Sequence, residues 1–198
     1  MSDIEIVHVV DDDDATRDAV AMLVEQHGYA VRGYASAADF LAALTPAVGG
    51  CAILDMRMPG MDGLELQAEL ARRDIAMPVV FLTGHGDIPT TVRAIKGGAV
   101  NFLTKPVKGA ALLASIRAAL DEGREMRAMR DAQQRLQSLT EREREVAELA
   151  LTGLPNKEIA RTLGISHRTV EIHRARALHK TGANSMLDLA HLLGTPPR

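Results

Sequence analysis

The stretch CAILDMRMPGMDG, residues 51–63, contains an apolar run that ends at an acidic side chain. Cys51–Leu54 has the length and composition of a buried strand, and Asp55 follows it directly. Amphipathic stretches of helix length separate it from similar runs elsewhere. We therefore predict an α/β fold with a doubly wound parallel sheet of five strands covered by helices on both faces. The other predicted strands are Ile4–Val10, Ala30–Tyr34, Pro78–Leu82 and Val100–Leu103.

The chain changes character beyond this α/β part. A last helix begins near Gly109, and the polar segment DEGREMRAMRDAQQRLQ (121–137) is rich in helix formers, which predicts a helical linker. From Ser138 onward the pattern is helical throughout. We predict an α/β domain at 1–120, the linker at 121–137, and a small all-α domain of four helices at 138–198. Its boundary signals are a capping box at Thr140 and Glu143, a stop at Gly153, and helix caps at Asn156 and Ser185.

Charge and composition limit the choice of partners. Residues 1–120 carry 10 Lys and Arg against 15 Asp and Glu, whereas residues 138–198 carry 9 against 7 and four of the seven His. An acidic part and a mildly basic part suit different partners. The single cysteine, Cys51, rules out a disulfide framework, and no apolar run reaches the length of a membrane span. We expect a cytoplasmic protein without membrane contact.

Five polar residues are predicted to converge on one edge of the sheet. Asp11 and Asp12 follow the first strand, Asp55 the third, Thr83 the fourth and Lys105 the fifth. Converging carboxylates repel one another and call for a cation, and hard oxygen ligands suit Mg²⁺. A lysine and a hydroxyl at the same edge fit a phosphoryl group that arrives on a carboxylate.

Each of these groups has a plainer explanation when taken alone. The run Asp11–Asp14 is typical of a solvated strand end or a helix cap, Lys105 of a surface lysine, and Thr83 of a strand-end hydroxyl. Their positions at the carboxyl ends of four different strands favour the phosphoryl site.

The segment NKEIARTLGISHRTVEIHRARALHK, residues 156–180, predicts a helix-turn-helix. Gly164 lies in the turn, and Ser166 caps a second helix that buries Val170. Arg168, Ile172, Ala175 and His179 point to the opposite side, which has the size and chemistry to enter a DNA major groove. On charge alone, a solvated amphipathic helix remains the alternative. Candidates for phosphate contacts are Lys157, Arg168, Thr169, Arg174, Arg176 and Lys180.

The segments VVDDDD, ILDMRMPGMDG, FLTGHG and NFLTKPV resemble the receiver domain of two-component response regulators, which is flavodoxin-like, over residues 1 to about 120. The resemblance implies that Asp55 accepts a phosphoryl group from a sensor histidine kinase with the help of Mg²⁺, or of Mn²⁺ in its place. The other implied features are a metal site at Asp11, Asp12, Asp55 and the backbone carbonyl of Arg57, a phosphate contact at Lys105, a switch pair of Thr83 and Phe102, and a cis Lys105–Pro106 bond.

Residues 139–193 closely resemble the LuxR-type helix-turn-helix, and their pairing with a receiver resembles the FixJ/NarL class, the FixJ type most closely. In this class Glu171, Ile172 and Ala175 correspond to the groove-facing positions, and His173 to a packing or phosphate-contacting residue. The resemblance implies a transcription regulator without enzymatic turnover, which binds double-stranded DNA when phosphorylated. It also implies a homodimer formed around Arg93, Lys96 and Phe102, with RNA polymerase as a further partner.

Two other functions fit part of the sequence. A phosphohydrolase that works through an aspartyl-phosphate usually needs a second acid two residues after the nucleophile, and Arg57 stands there. An interaction module whose receiver is never phosphorylated would use its helices to bind protein. A steep salt dependence of DNA binding separates that module from a DNA-binding regulator.

Overall fold

The structure is a computed structural model that describes residues 5–45, 49–84 and 88–193. Ile4 of the first predicted strand and the end of the FLTGHG segment therefore lie outside the described residues. The contacts divide the chain into two compact units, Met1–Met126 (unit 1) and Arg127–Arg198 (unit 2). The predicted linker 121–137 is helical throughout, and the domain limits at 120 and 137 stay predictions.

Unit 1 contains a parallel sheet in the order β2-β1-β3-β4-β5. The strands are β1 (Ile6–Val10), β2 (Ala30–Tyr34), β3 (Gly50–Asp55), β4 (Val79–Thr83) and β5 (Ala99–Thr104). The helices are α1 (Asp14–Gln26), α2 (Ala37–Ala43), α3 (Gly63–Arg72), α4 (Ile88–Lys96) and the first part of α5 (Gly109–Gln137). This confirms the predicted doubly wound sheet of five strands.

Two apolar layers hold the helices on opposite faces of the sheet. On one face Phe40 of α2 and Leu66 of α3 pack with Phe81 of the sheet. On the other face Val24 of α1 and Ile116 of α5 belong to the second cluster. All six residues of β3 are buried because this strand is central and covered on both sides, which explains why its sequence is a continuous apolar run.

Three strands, β3, β4 and β5, extend one residue further at their carboxyl ends than predicted. Asp55 is the last residue of β3 and pairs with Leu82, and Thr83 is the last residue of β4 and pairs with Thr104. Both polar side chains therefore start from residues that the sheet itself holds. Strand β5 ends at Thr104, so Lys105 begins the connection to α5.

Unit 2 contains the end of α5 and the helices α6 (Glu141–Leu151), α7 (Asn156–Leu163), α8 (His167–Thr181) and α9 (Met186–Leu192). Val146, Ile159 and Val170 form one buried cluster, and Ala147 and Leu189 belong to a second. A small bundle of this kind is what the helical periodicity of the sequence predicts.

Most helix boundaries of unit 2 agree with the predicted caps. The capping box of Thr140 and Glu143 is formed, and Ser166 and Ser185 accept hydrogen bonds from the first turns of α8 and α9. The prediction that Asn156 caps α7 is wrong. Pro155 holds the cap position with an extended ψ of 150°, and Asn156 is the first helical residue, where its side-chain oxygen accepts a hydrogen bond from the guanidinium of Arg174.

No helix in the described ranges has both the length and the apolar composition needed to cross a membrane.

Candidate functional site

Three carboxylates meet at the carboxyl edge of the sheet. Asp11 and Asp12 directly follow β1, and Asp55 ends β3; an oxygen from each lies within 4.8 Å of the others. Asp11 and Asp55 are buried, whereas Asp12 is exposed. The structure therefore brings together the predicted metal ligands that are side chains.

Lys105 reaches into this cluster from the end of β5. Its Nζ lies 2.6 Å from Oδ2 of Asp11 and 2.9 Å from Oδ1 of Asp55. The backbone positions the residue, because the Lys105 N–H donates a hydrogen bond of 2.7 Å to the carbonyl of Thr83. The expected cis Lys105–Pro106 bond is present.

Burial and charge act against each other in this cluster. Burial raises the pKa of the Asp11 carboxyl, and the hydrogen bonds from Lys105 and from the Asp13 N–H offset only part of that rise. Burial also disfavours the Lys105 ammonium, but its bonds to Asp11 and Asp55 outweigh burial, so the pKa of Lys105 is raised. An ionised Asp11 is thus incompletely compensated by its protein neighbours, a condition that an added cation relieves.

Backbone groups fix the orientation of the acids. The N–H of Arg57 donates to Oδ2 of Asp55 over 3.0 Å, and the N–H of Asp13 donates to Oδ1 of Asp11 over 3.0 Å. The residue two positions after Asp55, where a phosphohydrolase of this kind usually has its second acid, is Arg57, and its side chain is exposed. Gly63, which begins α3, packs so closely that a Cβ there would lie 2.4 Å from the carbonyl oxygen of Asp55.

The acidic run after β1 divides into separate roles. Asp13 caps α1 by accepting from the N–H groups of Ala15 and Thr16, so the plainer explanation of a helix cap holds for this residue. Arg17, which the sequence analysis missed, donates from its guanidinium to the backbone carbonyl of Asp11 over 2.7 Å and also pairs with Asp14. The only feature of the sequence that could have indicated this contact is the position of Arg17 one helical turn into α1.

The predicted switch residues lie on neighbouring strands. Thr83 is buried at 1% exposure, and Phe102 is partly buried on β5, with its ring centroid 6.4 Å from that of Phe81. On the adjoining helix α4, Ile88, Val92 and Ile95 are exposed, with Ile88 at 81%. An open, mostly apolar groove of about 630 Å³ lies between α1 and the β5–α5 connection, with Lys105 among its lining residues.

Helix α8 presents the predicted outer face. Val170 and Ala177 are buried, whereas Arg168, Ala175 and Arg176 are exposed and Ile172 is 39% exposed. This arrangement agrees with the helical wheel derived from the sequence. Lys157 is likewise exposed on α7.

Three of the remaining DNA-contact candidates are bonded to other residues of unit 2, and the fourth, His173, is half-buried. The Lys180 ammonium lies 2.6 Å from Oε2 of the buried Glu143 and donates to the carbonyl of Ser138, which does not favour the predicted phosphate contact. Arg174 donates to Asn156. The hydroxyl of Thr169 bonds to Ser166, and His173 is half-buried with a buried Nδ1 that finds no partner in the described structure.

Comparison with known proteins gives two family matches that together span most of the chain. The profile of the response regulator receiver domain matches residues 7–117, and the profile of the bacterial regulatory proteins of the luxR family matches residues 137–193. These two matches fall on the parts that carry the acidic cluster and the helix α8.

Several known proteins are similar to this chain along most of its length. The transcriptional regulatory protein FixJ of Azorhizobium caulinodans is 47% identical over 94% of this chain and 90% of its own length. Nodulation protein W of Bradyrhizobium diazoefficiens is 43% identical over 96% and 86%. Among solved structures, the response regulator StyR is similar with a TM-score of 0.78 and 43% identity over 96% of this chain and 98% of that one. Full-length FixJ from B. japonicum gives a TM-score of 0.59 and 40% identity over 96% of both chains.

Proposed function

We propose that Asp55 is the phospho-acceptor of this chain, which belongs to the two-component response regulators that join a receiver domain to a LuxR-type DNA-binding domain. The family are transcription regulators, and a receiver domain implies a histidine kinase as the donor. The observation that carries the proposal is the position of the Lys105 ammonium, 2.9 Å from Asp55 and 2.6 Å from Asp11.

Phosphorylation replaces one bond by another at this edge of the sheet. An oxygen of Asp55 attacks the phosphorus, an O–P bond forms, and the N–P bond of the kinase's phosphohistidine breaks, so the imidazole leaves and takes up a proton. The Arg57 N–H and the Lys105 ammonium hold Asp55 in place before the reaction. Lys105 then neutralises charge on the phosphoryl oxygens, and the Thr83 hydroxyl donates a hydrogen bond to one of them.

The donor set fits Mg²⁺, with Mn²⁺ as a substitute. Asp11, Asp12, Asp55 and the backbone carbonyl of Arg57 would hold it, and all four are hard oxygen ligands. Asp12 is exposed, so a bound cation would remain accessible to water and to phosphate oxygens. When bound, the cation neutralises the charge that develops on the transferred phosphoryl group.

The surface formed by α4 and β5 transmits the effect of phosphorylation to dimerisation. A hydroxyl of Thr83 that turns toward the phosphoryl group vacates space that the Phe102 ring can enter. The exposed Ile88, Val92 and Ile95 of α4 adjoin Arg93 and Lys96, and such an apolar patch with a charged border suits a second copy of the chain. Homodimerisation on phosphorylation places two recognition helices on adjacent half-sites of double-stranded DNA.

In unit 2, helix α8 supplies the contacts to DNA. Glu171, Ile172 and Ala175 face the bases, and the exposed Lys157, Arg168 and Arg176 supply phosphate contacts. The candidates that are less accessible for phosphate contacts are Thr169, His173, Arg174 and Lys180. RNA polymerase is the further partner that a transcription regulator of this kind engages.

Phosphate-affinity gel electrophoresis after incubation with acetyl phosphate and Mg²⁺ tests the acceptor. We expect a retarded band for the wild type and for Asp18→Asn, which changes an exposed acid of the same unit, and no retarded band for Asp55→Asn. Equal retardation of all three proteins would refute the assignment. A gel-shift assay over a range of salt concentrations tests DNA binding, because phosphate contacts predict a steep salt slope and protein docking does not.

A further inference from the structure

Helix α8 carries a single acidic residue, Glu171, among four Lys and Arg and three His. A carboxylate on a helix that enters a major groove is repelled by the phosphates and loses its hydration. It is therefore unfavourable unless it accepts hydrogen bonds from donors inside the groove. The base edges that offer such donors are the amino groups of cytosine and adenine.

The Glu171 carboxylate already lies beside basic side chains of the same helix. Nη1 of Arg168 lies 3.2 Å from its Oε2, and Nδ1 of His167 lies 3.6 Å from its Oε1. All three residues lie in the N-terminal part of α8, directly after the Ser166 cap, and their side chains are substantially exposed. In helix-turn-helix proteins this part of the recognition helix contacts base edges.

The Arg168–Glu171 couple presents a donor and an acceptor side by side. In the major groove a C·G pair presents the guanine O6 acceptor beside the cytosine N4 donor, and these atoms are about 3 Å apart because they bond to each other. We propose, on the basis of the proposed DNA-binding function, that Arg168 and Glu171 together read one C·G pair in each half-site. The carboxylate accepts from cytosine N4, and the guanidinium donates to guanine O6.

The flanking groups of the base pair decide against A·T. Adenine also offers an amino donor, but its N7 acceptor lies next to it and repels a carboxylate. Thymine offers an O4 acceptor, but its methyl group crowds the approach of a guanidinium. Guanine places a second acceptor, N7, beside O6, which suits the forked donors of arginine. This assignment moves Arg168 from a phosphate contact to a base contact.

The chain contains a matched control. Arg142 and Glu145 on α6 have the same order and spacing, with Nη1 and Oε2 2.6 Å apart, and Glu145 lies outside the helix-turn-helix although Arg142 also donates to the carbonyl of Leu163. If Glu171 only holds a surface arginine in position, replacing Glu171 or Glu145 should leave the DNA sequence preference unchanged. If it reads a base, only its replacement changes sequence preference.

The experiment selects binding sites from random double-stranded DNA with full-length protein phosphorylated by acetyl phosphate. For the wild type and Glu145→Gln we expect one C·G pair at the same position of each half-site. Glu171→Ala and Arg168→Ala should each weaken the preference for that C·G pair by about fivefold to a hundredfold, and Glu171→Gln should shift it toward an A·T pair with adenine in place of cytosine. The other positions should keep their bases.

Two results would overturn the assignment, and they differ. Glu171→Ala and Glu171→Gln proteins that are folded by circular dichroism, bind more weakly to every sequence and keep the wild-type preference would show that Glu171 has only a structural role. A wild type that enriches no sequence at all would refute the proposed DNA-binding function, and this assignment with it.

Discussion

Lowering the pH from about 7 to about 5 should destabilise unit 1 by about 2 kcal/mol through one buried histidine. The His8 ring on β1 is 1% exposed and contacts the rings of Tyr34 and Phe40. Its Nδ1 lies 3.1 Å from the Tyr34 hydroxyl, and its Nε2 is buried without a partner in the described structure. Burial, with a smaller contribution from Arg32, lowers the pKa of His8 from 6.5 to about 4.

The sign of the effect follows from which state binds the proton first. In the unfolded chain His8 gains a proton near its ordinary pKa of 6.5, whereas in the folded chain it gains a proton only near pH 4. The stability contributed by the neutral ring is therefore complete above the unfolded pKa and is lost as the pH falls through this window. The full shift corresponds to about 3 kcal/mol, of which about 2 kcal/mol falls between pH 7 and pH 5.

Tyrosine fluorescence in urea measures this loss for unit 1 alone, because the chain has no Trp and its two Tyr, Tyr29 and Tyr34, both lie there. His8→Leu should reduce the stability difference between the two pH values by about 2 kcal/mol. Leu also leaves the Tyr34 hydroxyl without its partner, which costs about 1 kcal/mol at every pH, so the comparison uses pH differences. His27→Leu, at an exposed histidine, is the control and should keep the wild-type difference. If His8→Leu also keeps the wild-type difference in stability between pH 7 and pH 5, the buried histidine is not the cause of that difference.

Three further changes test other contacts. Lys105→Met removes the ammonium that competes with a cation, so added Mg²⁺ should raise the urea midpoint of unit 1 more than in the wild type; an equal response contradicts this. Gly63→Ala places a Cβ 2.4 Å from the carbonyl of Asp55 and should slow phosphorylation by acetyl phosphate roughly tenfold or more, measured on phosphate-affinity gels. Lys180→Met leaves the buried Glu143 unpaired and should destabilise unit 2 by about 3 kcal/mol in thermal unfolding followed by circular dichroism, with part of the loss restored by adding Glu143→Gln.

The sheet could be predicted because its inner strands β1, β3 and β4 are buried on both faces and read as apolar runs, whereas the edge strands β2 and β5 are shorter apolar stretches with exposed residues. Every strand of the described structure matches a predicted run, with ends that differ by at most two residues where the described residues allow comparison, and β2 has the predicted bounds. The extra residue at Asp55 and at Thr83 was missed because a polar residue breaks the apolar pattern although its backbone still pairs in the sheet. The identity of one side chain does not show whether the backbone of that residue pairs with a neighbouring strand.

Local cap chemistry was predictable in most places and failed in one. Ser166 and Ser185 were predicted as caps because a hydroxyl three residues before a free N–H is a local arrangement. Asn156 was predicted by the same rule, but Pro155 precedes it with φ and ψ suited to the cap position, and the Asn156 side chain bonds to Arg174 on another helix. The tertiary partner overrides the local preference here.

The two buried lysine contacts show which long-range pairs a sequence can predict. Lys105 and Asp11 are 94 residues apart, yet their meeting was expected, because parallel strands in one sheet bring all their carboxyl ends to one edge. Lys180 and Glu143 are only 37 residues apart, and their pairing was missed. In a helical bundle the facing residues depend on crossing angles and on the rotation of each helix, which the periodicity of a single helix does not specify. A basic residue on a recognition helix is therefore assigned to DNA by default, and only the packing of α6 against α8 shows that Lys180 is held by Glu143 instead.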